Sequence, residues 1–325
     1  MMMSEQLCQI NIDDIDLNDL QYKISLTDDD ISFLAQSIKQ TGLINPPIVR
    51  PVNNKYIIVT GFNRIKASVV NNENSILAYI IKPNSSDVQC LVKSITSLCF
   101  KRQLSQAELI LSIKRLNKFL DEKQMANKSV AIFNTRLNER FIKDLLNIAS
   151  LPDLAIKLLH QGNISLKTAK KMLLFEKEVI KNFLKIFSII KASNNKQLEI
   201  IQYINEICKR DSINLEVFFQ NQEILDILFD EKSEPVLKTK LLRNYLFKKR
   251  FPALFNTRQE VQKKINNLKL GNNIKLLPPE NFENPNYLIS FTAKDYNEFN
   301  ANILNLNKIK ENNEIKKIFT QTNKL

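Results

Sequence analysis

Residues 56–67 read Tyr-Ile-Ile-Val-Thr-Gly-Phe-Asn-Arg-Ile-Lys-Ala, and they hold the side chains best suited to chemistry. Gly61, Arg64 and Lys66 together suit an anion. Glycine lets a ligand approach the backbone closely. A helix start offers unpaired N–H groups and partial positive charge. Two cations in the first turns add formal charge, and Asn63 sits between them and the glycine. The chemistry these types imply is phosphate binding. A plain strand–turn–helix corner with two solvated cations is the alternative reading of the same residues.

Those residues need a strand and a helix to hold them. Tyr56 to Val59 is β-branched and aromatic, which predicts a buried strand. From Phe62 the apolar positions Phe62, Ile65, Val69 and Val70 follow helical spacing, ending near Asn71-Asn72. Asn53-Asn54 predicts a hairpin turn from a strand at Ile48-Val49. That hairpin would carry Arg50 toward the same pocket. Thr27 is read as the N-cap of a helix, with Asp28, Asp29 and Asp30 in its first turn and Gly42 ending it. Ile10, Ile12, Ile15 and Leu17 are earlier strand contacts, and Ile76–Ile81 is a later strand.

Two stretches carry a resemblance. Leu34-x-x-Ser37-Ile38-x-x-x-Gly42-Leu43-x-x-Pro46-x-x-Val49-Arg50, then Tyr56-x-Ile58-x-x-Gly61-x-x-Arg64-x-x-Ala67, resembles the N-terminal domain of ParB-type partition proteins. The resemblance implies a sulfiredoxin-like α+β domain that binds CTP and closes a DNA clamp. It places the family's nucleotide box on residues 61–64; with Lys66 and Arg50 as nearby charge, the expected nucleotide contacts are Gly61, Asn63, Arg64, Lys66 and Arg50. The sequence departs from the family at Phe62, where an acid is expected, and at Asn63, where an arginine is. A family Glu-Asn pair falls on Ser97 and Leu98. Hydroxyl and apolar groups cannot replace a carboxylate in placing magnesium or activating water. The expectation is weak CTP binding, no metal beyond nucleotide-bound magnesium, and no catalytic residues.

The chain of 325 residues is 44% hydrophobic and 25% charged, which is ordinary for a globular protein of more than one domain. Net charge is +13, which suits a polyanion. Residues 1–60 carry −4, residues 61–150 carry +7 and residues 151–200 carry +5, so the middle is the polyanion-facing part. A Lys-rich solvated surface would give the same count. The four cysteines show no metal spacing, and His160 is the single histidine. With no signal peptide and no membrane-length apolar run, the expected location is cytoplasmic, on the nucleoid.

From Val88 the pattern turns helical. Ser105-Gln106-Ala107-Glu108 is a capping box, followed by a face of Leu109, Ile113, Leu116 and Leu120. Residues 126–149 show two short helical patterns, near 127–134 and 139–149, the first burying Val130, Ala131 and Phe133. That spacing suits a helix-turn-helix whose second helix offers Arg140, Lys143 and Asn147. Any pair of amphipathic helices in a bundle shows the same pattern. Leu151-Pro152 and Gly162-x-x-Ser165-x-x-x-Ala169 extend the ParB resemblance to about residues 25–175. It implies DNA contacts from Arg136, Asn138, Arg140, Lys143, Asn147, Lys167, Lys170 and Lys171, with Thr168 where the family has histidine.

Residues 176–230 read as bundle core and 231–235 as a linker. Leu237–Arg250 is a basic helix, suited equally to DNA or to docking. Thr257-x-x-Glu260 and Thr292-x-x-Asp295 are read as helix caps flanking a strand at 287–291. The expected fold class is α+β. Its parts are a ParB-like, sulfiredoxin-like domain at 1–98, a helical helix-turn-helix domain at 99–230 and a small α+β unit at 231–325. Expected partners are double-stranded DNA, a partition ATPase and a second copy in a homodimer, with no membrane. Competing readings are a CTP-hydrolysing clamp, a nuclease, and a scaffold that binds protein through the basic helix.

Overall fold

The computed structural model describes residues 5–27, 30–271, 273–279, 282, 286–310 and 312–321. It divides into two compact units, residues 1–198 and residues 199–325.

The first unit begins with a mixed five-stranded sheet. β1 (Gln6–Asn11) and β2 (Ile15–Asp16) flank a short 3-10 turn, and α1 (Ser32–Thr41) follows. Then come β3 (Ile48–Val52), β4 (Lys55–Thr60), α2 (Phe62–Val70) and β5 (Ser75–Ile80). The strand order is β1-β5-β3-β4-β2. β1–β5 and β3–β4 pair antiparallel, while β3–β5 and β2–β4 pair parallel. Ile10, Ile12, Ile15, Val49, Ile58, Ile65 and Ile76 form the core of this domain. Alternate strand residues reach one face of a sheet, which is why the buried set is so rich in isoleucine.

The hairpin turn is as expected. Asn53 and Asn54 adopt φ of 47° and 62°, the pair of positive values that a two-residue turn needs to match strand twist. Two other details differ. Asp28 and Asp29 lie outside the described residues. Thr27 does not cap α1, which starts at Ser32, whose N–H donates to Asp30 Oδ1 at 2.9 Å. Val69 and Val70 are exposed, and α2 instead buries Ile65, Ala67 and Ser68.

The rest of the first unit is helical: α3 (Asp87–Cys99), α4 (Gln106–Leu116), α5 (Glu122–Asn127), α6 (Ser129–Phe133), α7 (Glu139–Ile148), α8 (Asp153–His160), α9 (Leu166–Met172), α10 (Lys177–Ile189) and the start of α11 (Asn194–Arg210). The Ser105–Glu108 capping box forms as read. The first helix expected near 127–134 is α6, with a further helix, α5, ending just before it at Asn127; Val130 and Ala131 are exposed while Ile132 and Phe133 are buried. The four cysteines are unbridged, and Cys90, Cys99 and Cys208 are buried.

The second unit holds the remainder of α11, α12 (Leu215–Phe219), α13 (Gln222–Phe229), α14 (Pro235–Arg250), α15 (Pro252–Asn267), β6 (Ile274–Leu277), β7 (Leu288–Phe291), α16 (Tyr296–Lys310) and α17 (Asn313–Gln321). β6 and β7 pair antiparallel, and Val261, Ile265, Leu268, Leu276 and Ile309 form its core. Thr257 lies inside α15, its hydroxyl donating to Ala253 O, because Pro252 has already started the helix. Asp295, not Thr292, accepts from the first turn of α16 at Glu298 N. β6 and α17 add to the single strand and two helices expected there. The fold class is α+β. Among the described residues no helix is long and apolar enough to cross a membrane.

Candidate functional site

Gly61 ends β4 and caps α2 with φ 88° and ψ 25°, a left-handed conformation open to glycine. A Cβ there would meet Pro47 Cβ at 2.7 Å. So Gly61 is required by close packing on the α1–β3 loop as well as by its backbone angle. A cleft of about 560 Å³ opens beside it. Thr60, Gly61, Phe62, Asn63 and Arg64 form one wall, the end of α1 with Thr41 to Asn45 a second, and Ser94, Ser97, Leu98, Lys101 and Arg102 a third. Lys23 and Ser25 complete the lining.

Arg64 is half-buried, and its Nη1 donates to the carbonyl oxygens of Asn45 and of Pro46, the latter at 3.2 Å. Burial pulls its pKa below the usual guanidinium value. Lys101 is also pulled below its ordinary range, first by burial and then by the nearby Arg64 charge. Arg102 pairs with Glu108 at 2.7 Å. The cleft thus gathers Lys23, Arg64, Lys101 and Arg102, and no carboxylate lines it among the described residues. Leu34, Ile38, Leu43, Ile44, Phe62 and Leu98 supply apolar wall. A lining of cations and apolar side chains suits a phosphorylated molecule with an apolar part.

Magnesium would be held by oxygen donors, usually one or two carboxylates beside the phosphates. Ser97 and Leu98 stand on the wall where the resemblance places an acid and an amide. The lining offers hydroxyls, the Asn45 and Asn63 amides and cations but no carboxylate among the described residues, a donor set that does not fit magnesium. Among the described residues no cluster of His, Cys, Asp and Glu could hold a metal ion.

Of the five residues expected at the nucleotide, Gly61, Asn63 and Arg64 line the cleft. Lys66 is exposed on α2 outside the lining. Arg50 also stands outside it. Its Nη1 donates to Tyr22 Oη at 2.9 Å and to Asp87 Oδ1 at 2.5 Å, tying β3 to the start of α3. Sequence reading missed Lys23, Lys101 and Arg102. The adjacent cations just before the capping box were the available signal.

The helical array places the second candidate surface. Asn134 turns the chain with φ 52°, and Ser129 Oγ accepts from Leu137 N at 3.1 Å, fixing the connection between α6 and α7. α7 buries Ile142, Leu145 and Ile148, leaving Arg140, Lys143 and Asn147 exposed. Arg136 is exposed in the turn. Asn138 is the N-cap of α7, its Oδ1 accepting from Phe141 N at 2.8 Å, so its oxygen has a structural use. Lys167 and Lys171 are exposed on α9, while Lys170 Nζ pairs with Asp144 Oδ2 at 2.6 Å. Thr168 is buried and donates to Gln197 Oε1 at 2.6 Å, a core contact.

A mixed sheet with a cationic cleft at a strand–helix junction defines a small α+β domain, followed here by a helical array. Residues 1–96 match the model of the ParB N-terminal domain. A probable chromosome-partitioning protein ParB of Coxiella burnetii is 27% identical over 171 residues, 53% of this chain and 57% of that protein. The chain therefore spans little more than half the length of that relative. A Caulobacter crescentus ParB crystal structure complexed with CTP-gamma-S is 20% identical, covers 54% of this chain and 97% of that one, and has a TM-score of 0.27. Another, complexed to the centromeric parS site, is 18% identical, covers 55% and 91%, and has a TM-score of 0.35. The N-terminal resemblance read from the sequence is borne out: the findings fit a divergent ParB-type protein.

Proposed function

We propose that this chain is a ParB-like DNA-binding protein of chromosome or plasmid partition whose N-terminal cleft takes CTP weakly and turns it over at background rate. The observation that carries the nucleotide part is the cleft lining: four cations, an apolar wall and no carboxylate among the described residues. Gly61, Asn63 and Arg64 hold the phosphates, and the apolar wall takes the nucleoside. Without a carboxylate in the lining, no side chain there acts as general base for water. A CTP-hydrolysing clamp is the reading this disfavours.

The DNA part rests on the exposed cations of α7 and α9 and on the partition name of the relative. Arg140, Lys143 and Asn147 meet bases or phosphates, and Arg136, Lys167 and Lys171 meet the backbone. Such a protein works on the nucleoid as a homodimer, with a partition ATPase as its further partner. Calorimetric titration with CTP, repeated on Arg64→Ala, tests the cleft, and a phosphate-release assay tests turnover. Steady CTP hydrolysis by the wild type would overturn the non-catalytic reading. Sequencing the DNA captured with the tagged protein tests the rest, and recovery of random fragments would remove the specific-site reading.

A further inference from the structure

Lys101 and Arg64 both line the cleft, and the Arg64 charge acts on Lys101. Arg64 comes from the first turn of α2, and its Nη1 donates to the backbone carbonyls of Asn45 and Pro46. Neutral carbonyls do not cancel its charge. Lys101 comes from the turn after α3; its backbone N–H donates to Leu98 O at 3.1 Å, and its ammonium has no hydrogen bond or ion pair among the described residues. A cation there does complement the C-terminus of α3. Arg102 meets that need too, and it has its own carboxylate in Glu108. Helix-end charge does not explain why Lys101 shares an apolar-walled cleft with Arg64. Two like charges in one cleft raise each other's energy, and an anion between them reverses the sign.

We infer that this cleft neutralises a bound phosphate chain with Lys101 and Arg64 in place of a magnesium ion. The inference rests on the nucleotide reading of the cleft. The wall that would have to place the metal offers Ser97 and Leu98, a hydroxyl and an apolar group. An ammonium brings its charge on a flexible stem and needs no coordination shell, so it tolerates that wall. The ligand class is a nucleoside triphosphate or inorganic polyphosphate in its metal-free form. Magnesium in solution then competes with the protein for the phosphates.

The test is calorimetric titration of the full chain with CTP and, separately, with inorganic triphosphate, each in EDTA and in magnesium chloride. The expected result is binding of both probes in EDTA, no weaker than in magnesium. Lys101→Gln then binds both roughly tenfold more weakly, the loss of one charge-assisted contact, and Lys101→Arg restores it. Lys101 is exposed, so both variants fold, and thermal unfolding checks this. Binding seen only with magnesium overturns the inference and leaves the nucleotide reading standing. Wild-type affinity in Lys101→Gln, or binding of CTP without binding of triphosphate, overturns it as well. No binding of either probe in either buffer removes the nucleotide reading itself, and the inference with it.

Discussion

Arg102 and Glu108 face each other through two hydrogen bonds, Nη1 to Oε2 at 2.8 Å and Nη2 to Oε1 at 2.7 Å. Arg102 lines the cleft, and Glu108 is the third residue of α4, so one ion pair joins the cleft wall to the helical array. Glu108 is fully buried. It also accepts from Ser105 N at 2.9 Å and from Leu26 N at 3.0 Å. A buried carboxylate survives only when its oxygens are satisfied in this way.

The first prediction follows from that pair. Burial alone would raise the Glu108 carboxyl, but hydrogen bonds from Arg102, Ser105 N and Leu26 N, with the Arg102 charge, outweigh it and hold the group at about 2, against an ordinary 4.5. The folded value is the lower one. The stabilisation is therefore complete above about pH 4.5 and is lost as pH falls toward about 2. Its size is roughly 3 kcal/mol. Glu108→Gln is expected to lower Tm at neutral pH and to flatten the acid limb of the Tm–pH curve. An acid limb as steep as the wild type's would assign acid sensitivity to other carboxylates.

The second prediction separates two glycines. Gly61 and Gly42 have φ of +88° and +79°, so a side chain is strained at either. Only at Gly61 would the new Cβ also strike Pro47, at 2.7 Å from its Cβ and 3.0 Å from its Cα. Gly42 has ψ 174°, in a region essentially restricted to glycine, so Gly42→Ala is expected to cost roughly 2 kcal/mol by backbone strain alone. Gly61→Ala should cost about 2 kcal/mol or more, and it should also impair ligand binding because the α1–β3 loop forms cleft wall. Denaturant melts measure both losses and a ligand titration separates them: unchanged binding by Gly61→Ala would show that the Pro47 contact does not shape the cleft.

Short-range chemistry was legible in the sequence, and long-range meetings were not. The Asn53-Asn54 turn and the Ser105–Glu108 box depend on neighbours within three residues, so pattern reading found both. Arg50 was misplaced because its partners, Tyr22 and Asp87, come from distant parts of the chain. Lys101 was missed for the same reason, since three separate elements close the cleft. Val130 shows another limit: an apolar residue in a short helix need not face the core, and this one faces solvent. Thr257 failed as a cap because Pro252 pre-sets the helical φ and starts α15 earlier.

The third prediction concerns the hairpin that sets the register of β3 against β4. Asn53 and Asn54 both hold positive φ, which asparagine tolerates and glycine prefers. Asn54→Gly is expected to stabilise the protein by a few tenths to about 1 kcal/mol, since glycine suits the second position of this turn. Asn53→Val should destabilise by about 1–2 kcal/mol. Urea melts measure both. A stabilising Asn53→Val would mean that the turn changes type on substitution.

The last prediction concerns which cations are available to DNA. Lys143 and Arg140 are exposed on α7. Lys170 is held by Asp144 at 2.6 Å, with the lysine side chain 52% exposed and the aspartate 27%. A phosphate must displace a carboxylate to reach Lys170 but displaces only water at Lys143. Lys143→Ala should therefore reduce the slope of log affinity against log salt by about one unit, while Lys170→Ala changes it less. Arg140→Ala should cost more on a specific site than on random duplex. Asp144→Ala releases Lys170 and removes a repelling charge, so non-specific affinity rises and the slope steepens. Fluorescence anisotropy on a labelled duplex across a salt series reads all four variants. Unchanged slopes in Lys143→Ala and Arg140→Ala would retire α7 as the DNA surface. Loss of binding on charge reversal at Lys240 and Lys248, both exposed on α14, would then move the interface to the basic helix.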